Sequence, residues 1–272
     1  MNTLAFIGGG NMARSLIGGL VASGTAPEHI VVADPVASQV QSLQRDYAVR
    51  GATDNQAAVQ GASAVILAVK PQQLRTVVQG LQPALGARTL LISIAAGIRA
   101  ADIARWAGSS PVVRCMPNRP ALEGCGITAL FAMPNATGDD RNTAETIMRA
   151  VGATLWVERE SDMDAVTAIS GSGPAYFFLL MEMLEQAGVE LGLSPTVSRQ
   201  LAIETAYGSG RMARSATDSP LQLRQQVTSK GGTTQAALEH LEAKHIRAIF
   251  VPAVKAAAQR SAQLAEEFGK DS

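Results

Sequence analysis

Thr3-Leu4-Ala5-Phe6-Ile7-Gly8-Gly9-Gly10-Asn11-Met12-Ala13 is the stretch whose reading decides the fold. A short apolar run stops at three glycines, and a helical pattern then begins with Met12, Leu16 and Leu20, with Ile17 and Val21 alongside. Strand, glycine turn, helix is the opening of a dinucleotide-binding unit. Gly8, Gly10 and Ala13 fit its G-x-G-x-x-A spacing. Gly8 allows the tight turn, Gly10 lets a pyrophosphate approach the backbone, and Ala13 lets helix and strand pack closely. A glycine turn alone is weak evidence, so its surroundings matter. A second strand, His29 to Ala33, ends in Asp34. That is about twenty residues beyond the turn, where an acid can bind ribose hydroxyls. An acid there repels a 2′-phosphate and favours NADH. Asp34-Pro35 also suits a strand that simply ends in a turn.

Further along come Ala62 to Val69, Thr89 to Ile94 and Pro111 to Cys115. Such near-continuous aliphatic runs are expected of strands covered on both faces. They end in Lys70-Pro71-Gln72, Ala95-Ala96-Gly97 and Met116-Pro117-Asn118. Ligands of doubly wound sheets sit outside strand carboxyl ends, so these ends are candidate cofactor contacts. Asn55 opens the helix before Ala62, where an N-cap is expected. Gly126 to Ala132 and Ala153 to Val157 read as later strands, flanking a helix around Arg141 to Val151. From about Asp162 strand patterns stop. Pro174 suits the first turn of a helix to about Leu191, apolar around much of its circumference and so expected to be buried. A helix from about Pro195 to Met212 and a last helical region to about Phe268 follow. The predicted class is α/β: an N-terminal Rossmann-type doubly wound sheet over residues 1–160, then an all-helical domain over 161–272. Helical tails of this kind often pack across a dimer axis.

Ser229-Lys230-Gly231-Gly232-Thr233-Thr234 stands before another apolar-periodic run. Two readings fit it. One is an ordinary N-cap supplied by Thr233 or Thr234. The other is an anion site, in which glycines let a ligand approach and the first-turn N–H groups hold a carboxylate.

Composition removes several function classes. Lys and Arg number 23 and Asp and Glu number 23, which leaves no electrostatic case for nucleic acid or an anionic membrane. No apolar run approaches the about 18 residues of a membrane span. Cys115 and Cys125 stand apart from any histidine cluster, so a metal site is not expected and both read as buried apolar residues. The start of the chain has no basic segment or cleavage site, and a reduced cytoplasmic setting is the expectation. His29, His240 and His245 are scattered and belong to no motif.

Taken together, the motifs resemble the pyrroline-5-carboxylate reductase family. Those that carry the resemblance are Phe6 to Met12, Ala68 to Gln72, Val113 to Asn118, Asp164 to Thr167, Ser170 to Tyr176, and Val227 to Thr234. The resemblance implies reduction of Δ1-pyrroline-5-carboxylate to L-proline by NAD(P)H. It implies a Rossmann domain and a helical domain that forms a homodimer, with rings of dimers as a higher state. It leans to NADPH, whereas Asp34 leans to NADH. It implies a pyrophosphate turn at Ile7, Gly8, Gly9, Gly10, Asn11 and Met12, with Asp34 and Asn55 on the adenosine side. Ala68, Val69, Lys70, Pro71, Ala95 and Ala96 are the strand-end cofactor contacts. Gly231, Gly232, Thr233 and Thr234 form the substrate turn, with the Thr234 hydroxyl at the imine nitrogen as the catalytic group. Two residues depart from the pattern: Lys230 stands where proline is usual, and Arg119 where threonine is usual. Two competing readings remain. A β-hydroxyacid dehydrogenase shares the domain plan, but its lysine on the long helix has no counterpart from Pro174 to Gly192. A dinucleotide sensor without catalysis would need no Gly231–Thr234 turn.

Overall fold

Side chains along a strand point alternately to opposite faces, and in the first strand this alternation divides the core in two. In the computed structural model, which describes residues 3–108 and 110–270, β1 (Leu4–Ile7) is buried throughout. Leu4 and Phe6 join one hydrophobic cluster, and Ala5 and Ile7 the other. The same split recurs in β2 (Ile30–Ala33), β4 (Ala64–Leu67) and β5 (Leu90–Ser93). Continuous aliphatic runs are therefore stable here, because both faces of the sheet are covered.

Among the described residues the sheet has eight strands, in the order β3-β2-β1-β4-β5-β6-β7-β8. β3 (Arg50–Gly51), β6 (Val112–Met116), β7 (Gly126–Ala132) and β8 (Gly152–Trp156) complete it. The seven strands expected from the residues are all present. The addition is β3, a two-residue exposed edge too short to leave a pattern. All pairings are parallel except β6 with β7. Their link carries only a short 3₁₀ turn, Arg119–Glu123, whereas a parallel pair needs a crossover of about a dozen residues or more.

One face of the sheet is covered by α1 (Asn11–Ala22), α2 (Ala37–Tyr47) and α6 (Gly138–Arg149). The other is covered by α3 (Asn55–Val59), α4 (Pro71–Leu81) and α5 (Ala100–Ala107). Thr137 and Asp140 close a reciprocal capping box at the start of α6. α7 (Asp162–Val166) runs into a π-helical turn, Thr167–Gly171.

Packing groups the chain up to Ser172 with the segment from Ala257 onward; Gly173–Ala256 forms a second unit. The second unit holds α8 (Gly173–Glu190), α9 (Pro195–Ser215), α10 (Pro220–Gln226) and α11 (Thr233–Ala243). The final helix, α12 (Ile246–Gly269), begins there and ends in the first unit. α8 lies along α9, with Gly188 so close to Ser198 that an added Cβ would fall 2.6 Å from its hydroxyl.

Two expectations are corrected. α8 is not buried: Phe177 is 64% exposed, and Phe178, Leu180, Met183 and Leu184 are exposed with it. Its composition marks it for burial, but one chain supplies only α9 and its neighbours to cover it. Cys115 is buried, which pushes its thiol pKa up, but Cys125 is exposed. It follows Gly124 in the link between β6 and β7, outside the core. Among the described residues no helix is long and apolar enough to cross a membrane.

Glu145 on α6 accepts hydrogen bonds from the Trp156 indole and the Thr154 hydroxyl of β8, and pairs with Arg149. The indole bond first, then Arg149 and Thr154, hold its carboxyl below the usual carboxylate range. With the folded value depressed, the contribution to stability is complete above the unfolded value of about 4.3 and is lost as pH falls through the lower folded value. Thermal melts of wild type and Glu145→Gln are expected to differ by a few degrees at pH 7 and to converge at acid pH.

Candidate active site

The sheet register brings together the strand-end candidates of the first unit. Ile7 lies opposite Ala33 on one side and Leu67 on the other, and Leu67 lies opposite Ser93. Parallel strands in this register end along one edge. The segments leaving it are Gly8–Met12, Asp34, Ala68–Pro71 and Ala95–Ala96, so residues far apart in the sequence lie along one edge of the sheet. β1 is also where the strand order reverses, the usual ligand position in such sheets.

Each glycine of the turn has its own role. Gly8 has φ +102°, and an added Cβ would fall 2.6 Å from the Ala68 carbonyl oxygen. Its N–H donates to the Ala33 carbonyl at 2.8 Å, which ties β1 to β2. Gly9 donates to the Asp34 carboxylate at 2.7 Å. Gly10 is the N-cap of α1, with nothing within 4 Å of where a Cβ would sit. No side chain caps this helix, and its first turn carries no acid. Its leading N–H groups are thus left without a side-chain cap, an arrangement that suits an anion. This cradle fits the pyrophosphate of a dinucleotide. Asn11 is exposed at its rim, while Met12 packs against the core.

Asp34 does more than end a strand. One carboxylate oxygen takes the Gly9 N–H, and the other takes the Val36 N–H at 2.8 Å. The residue thus braces the glycine turn from β2. Asn55 is half-buried in the first turn of α3, but it is not the cap expected of it. Asp54 is, accepting from Ala57 N–H at 2.8 Å. Lys70 is the N-cap of α4 and Pro71 occupies its first turn. Ala95 is buried and donates its N–H to the Ser93 hydroxyl at 3.3 Å; Ala96 is half-buried.

In the second unit, Ser229–Thr234 opens α11. Neither threonine is its N-cap. Gly232 is, in extended backbone, with no side-chain cap and no acid in the first turn. Gly231 has φ +72°, and a Cβ on Gly232 would meet the Ser229 hydroxyl at 2.5 Å. The threonine-cap reading is therefore corrected: no side chain caps the leading N–H groups of α11. Thr233 is exposed and Thr234 half-buried.

Arg114 and Glu160 were not singled out as site residues. Arg114, on β6, is 3% exposed and donates to Glu160 at 3.0 Å. The signal was Arg114 itself: a charge inside Pro111-Val112-Val113-Arg114-Cys115 demands a buried partner, but sequence does not name it.

Residues 160–264 match the family model for pyrroline-5-carboxylate reductase dimerisation, and residues 3–97 match the one for NADP oxidoreductase, coenzyme F420-dependent. The pyrroline-5-carboxylate reductase of Pseudomonas aeruginosa is 46% identical over 268 residues, covering 98% of each chain. The chain belongs to the pyrroline-5-carboxylate reductase family. The solved pyrroline-5-carboxylate reductase of Coxiella burnetii superposes with a TM-score of 0.94 at 41% identity, covering 97% of this chain and 98% of that one. The Plasmodium falciparum pyrroline carboxylate reductase, solved with NADP bound, gives 0.84 at 30% identity over 97% and 98%.

Two motifs that resemble the pyrroline-5-carboxylate reductase family meet in the first unit. Gly171 lies against Met116, whose terminal methyl would be 2.6 Å from an added Cβ. Ser172 N–H reaches back to the Thr167 carbonyl at 2.8 Å, closing the π turn. Such turns occur often at functional sites. The departures from the family pattern, Lys230 and Arg119, are both exposed.

Proposed function

We infer that the chain reduces Δ1-pyrroline-5-carboxylate to L-proline with NAD(P)H. The observation that carries this is coverage: similarity at 46% identity spans 98% of the chain, so it includes both the glycine turn and the Gly231–Thr234 turn. NADPH is the expected donor, supported by the NADP oxidoreductase match and the NADP-bound relative. NADH remains a substrate because Asp34 stands on the adenosine side.

When bound, the nicotinamide supplies the hydride. The chain's own work is positioning. Gly8–Met12 hold the pyrophosphate, Asp34 and Asn55 the adenosine side, and Ala68–Pro71 with Ala95 and Ala96 line the strand ends. In the Gly231–Thr234 turn, Gly231 N–H donates to Gln235 Oε1 at 2.7 Å and Gly232 N–H to the Ser229 carbonyl at 3.1 Å, so the N–H groups of Thr233 and Thr234 clamp the substrate carboxylate, and the Thr234 hydroxyl bonds the imine nitrogen. A protonated cyclic imine is already a strong electrophile, so orientation supplies much of the acceleration. The imine carbon would accept the hydride, and the protonated nitrogen would become the secondary amine of proline.

Functionally, residues 1–160 form the dinucleotide-binding domain and 161–272 the substrate and dimerisation domain, a division supported by the dimerisation match beginning at residue 160. The exposed apolar side chains of α8 suit a second copy of the chain, giving a cytoplasmic homodimer able to form rings of dimers. Sedimentation separates the dimer from the ring.

The test is steady-state oxidation of NADPH and of NADH, side by side, with racemic pyrroline-5-carboxylate. Oxidation that depends on the imine is expected with both, faster with NADPH. Folded protein that binds cofactor but turns over with neither would refute the assignment. Asp34→Asn is expected to raise the NADPH-to-NADH ratio of kcat/KM several-fold, by removing one charge from the adenosine side.

A further inference from the structure

α5 starts without a side-chain cap of its own, yet the N–H of its first residue, Ala100, is fully buried and satisfied. The acceptor comes from sixty residues away: Glu160 Oε1, at 2.6 Å. The same oxygen receives Arg114 Nη1 at 3.0 Å. Glu160 lies in the turn between β8 and α7, so a residue at the end of the sheet region holds the start of a helix that follows β5. Between β5 and α5 run Ala95 and Ala96. The loop is held at other points too. Ala95 N–H donates to Ser93 Oγ, and Gly97, at φ +70°, presses against α12, where an added Cβ would sit 3.2 Å from Leu264 Cβ.

We propose that Glu160 is a positioning residue for the nicotinamide cofactor, acting as a remote N-cap that sets the Ala95–Arg99 loop, with Arg114 holding its carboxylate in place. The proposal rests on reading Ala95 and Ala96 as cofactor contacts. On the α5 side Ile98 is buried in the core, and the Arg99 carbonyl accepts from Asp102 and Ile103 N–H; the Glu160 bond adds a side-chain anchor to the buried N–H where loop meets helix. None of these contacts satisfies the Ala100 N–H, so loss of the Glu160 acceptor leaves a buried donor unpaired where loop meets helix.

Removing Glu160 alone strands a buried guanidinium, which damages the fold for an unrelated reason. Two double variants avoid this. Arg114→Met with Glu160→Gln removes the charges but keeps an oxygen acceptor for Ala100. Arg114→Met with Glu160→Leu removes the acceptor too. Kd for NADPH is read by fluorescence titration, and hydrogen exchange is read over residues 95–104. The Gln pair is expected to bind within about twofold of wild type, and the Leu pair about tenfold more weakly, the scale of one lost hydrogen bond. Exchange in the loop should be faster only in the Leu pair. Equal Kd and equal exchange in the two pairs would overturn the proposal. Should the Leu pair fail to fold, Glu160→Asp serves instead. It keeps the charge beside Arg114 and withdraws the carboxylate from Ala100 by one methylene, and the same weakening is expected; unchanged Kd and exchange overturn the proposal. Ala96→Val tests the underlying reading separately. Weakened binding there, with no difference between the double variants, rejects the role of Glu160 alone. Unchanged binding in Ala96→Val rejects the loop as a cofactor contact, and the proposal with it.

Discussion

Gly10→Val is expected to abolish measurable binding of NADPH and NADH while leaving the protein folded. Both halves of that result follow from geometry. Gly10 has φ −69° and ψ −176°, extended backbone that a β-branched residue adopts readily. No atom lies within 4 Å of the new Cβ, so the melting temperature should hold. The branched side chain instead fills the open space beside Gly10 at the start of α1, where the proposed function puts the pyrophosphate. Loss of two hydrogen bonds to a charged group, each worth about 1.5–3 kcal/mol, weakens binding by a factor on the order of a hundred or more. Gly8→Val is the contrasting case. Its positive φ and the 2.6 Å approach to Ala68 predict damage to the fold itself. A Gly10→Val protein that titrates with cofactor as wild type does would remove the glycine turn from the site.

Thr234→Ala is expected to lower kcat roughly ten- to a hundredfold, the loss of one hydrogen bond to a charged group, with cofactor Kd unchanged. Thr234 lies in the first turn of α11 but does not cap it; Gly232 does. Alanine is the best helix former, so the helix loses nothing by the change. The effect is then on chemistry, and Thr234→Ser, which keeps the hydroxyl, should restore most of the rate. Stopped-flow oxidation of NADPH at saturating imine measures the step directly. A wild-type rate in Thr234→Ala would take that hydroxyl out of the mechanism, leaving backbone N–H groups as the only substrate contacts of the turn.

Much of this protein was legible from residues close together in the chain. Leu4–Ile7 running into three glycines and an amphipathic helix is local chemistry, since strand, turn and helix each depend on near neighbours. The same holds for the aliphatic strands, for the change to helix near Asp162, and for the glycines before Thr233. Other features depend on contacts between distant segments, which periodicity does not encode. Asp34 was readable as an acid at a strand end, but only the register of β1 against β2 brings it to the Gly9 N–H. The caps at Asp54 and Gly232, each just before the residues expected, turn on where the backbone leaves extended geometry. The apolar circumference of α8 announced burial, but within one chain its large side chains stay exposed. Arg114 announced a partner, and tertiary structure chose Glu160. In each case the sequence by itself set which groups must be satisfied. The three-dimensional fold decided which atoms satisfy them, because a buried charge, N–H or apolar face constrains the kind of partner it needs and not its place in the chain.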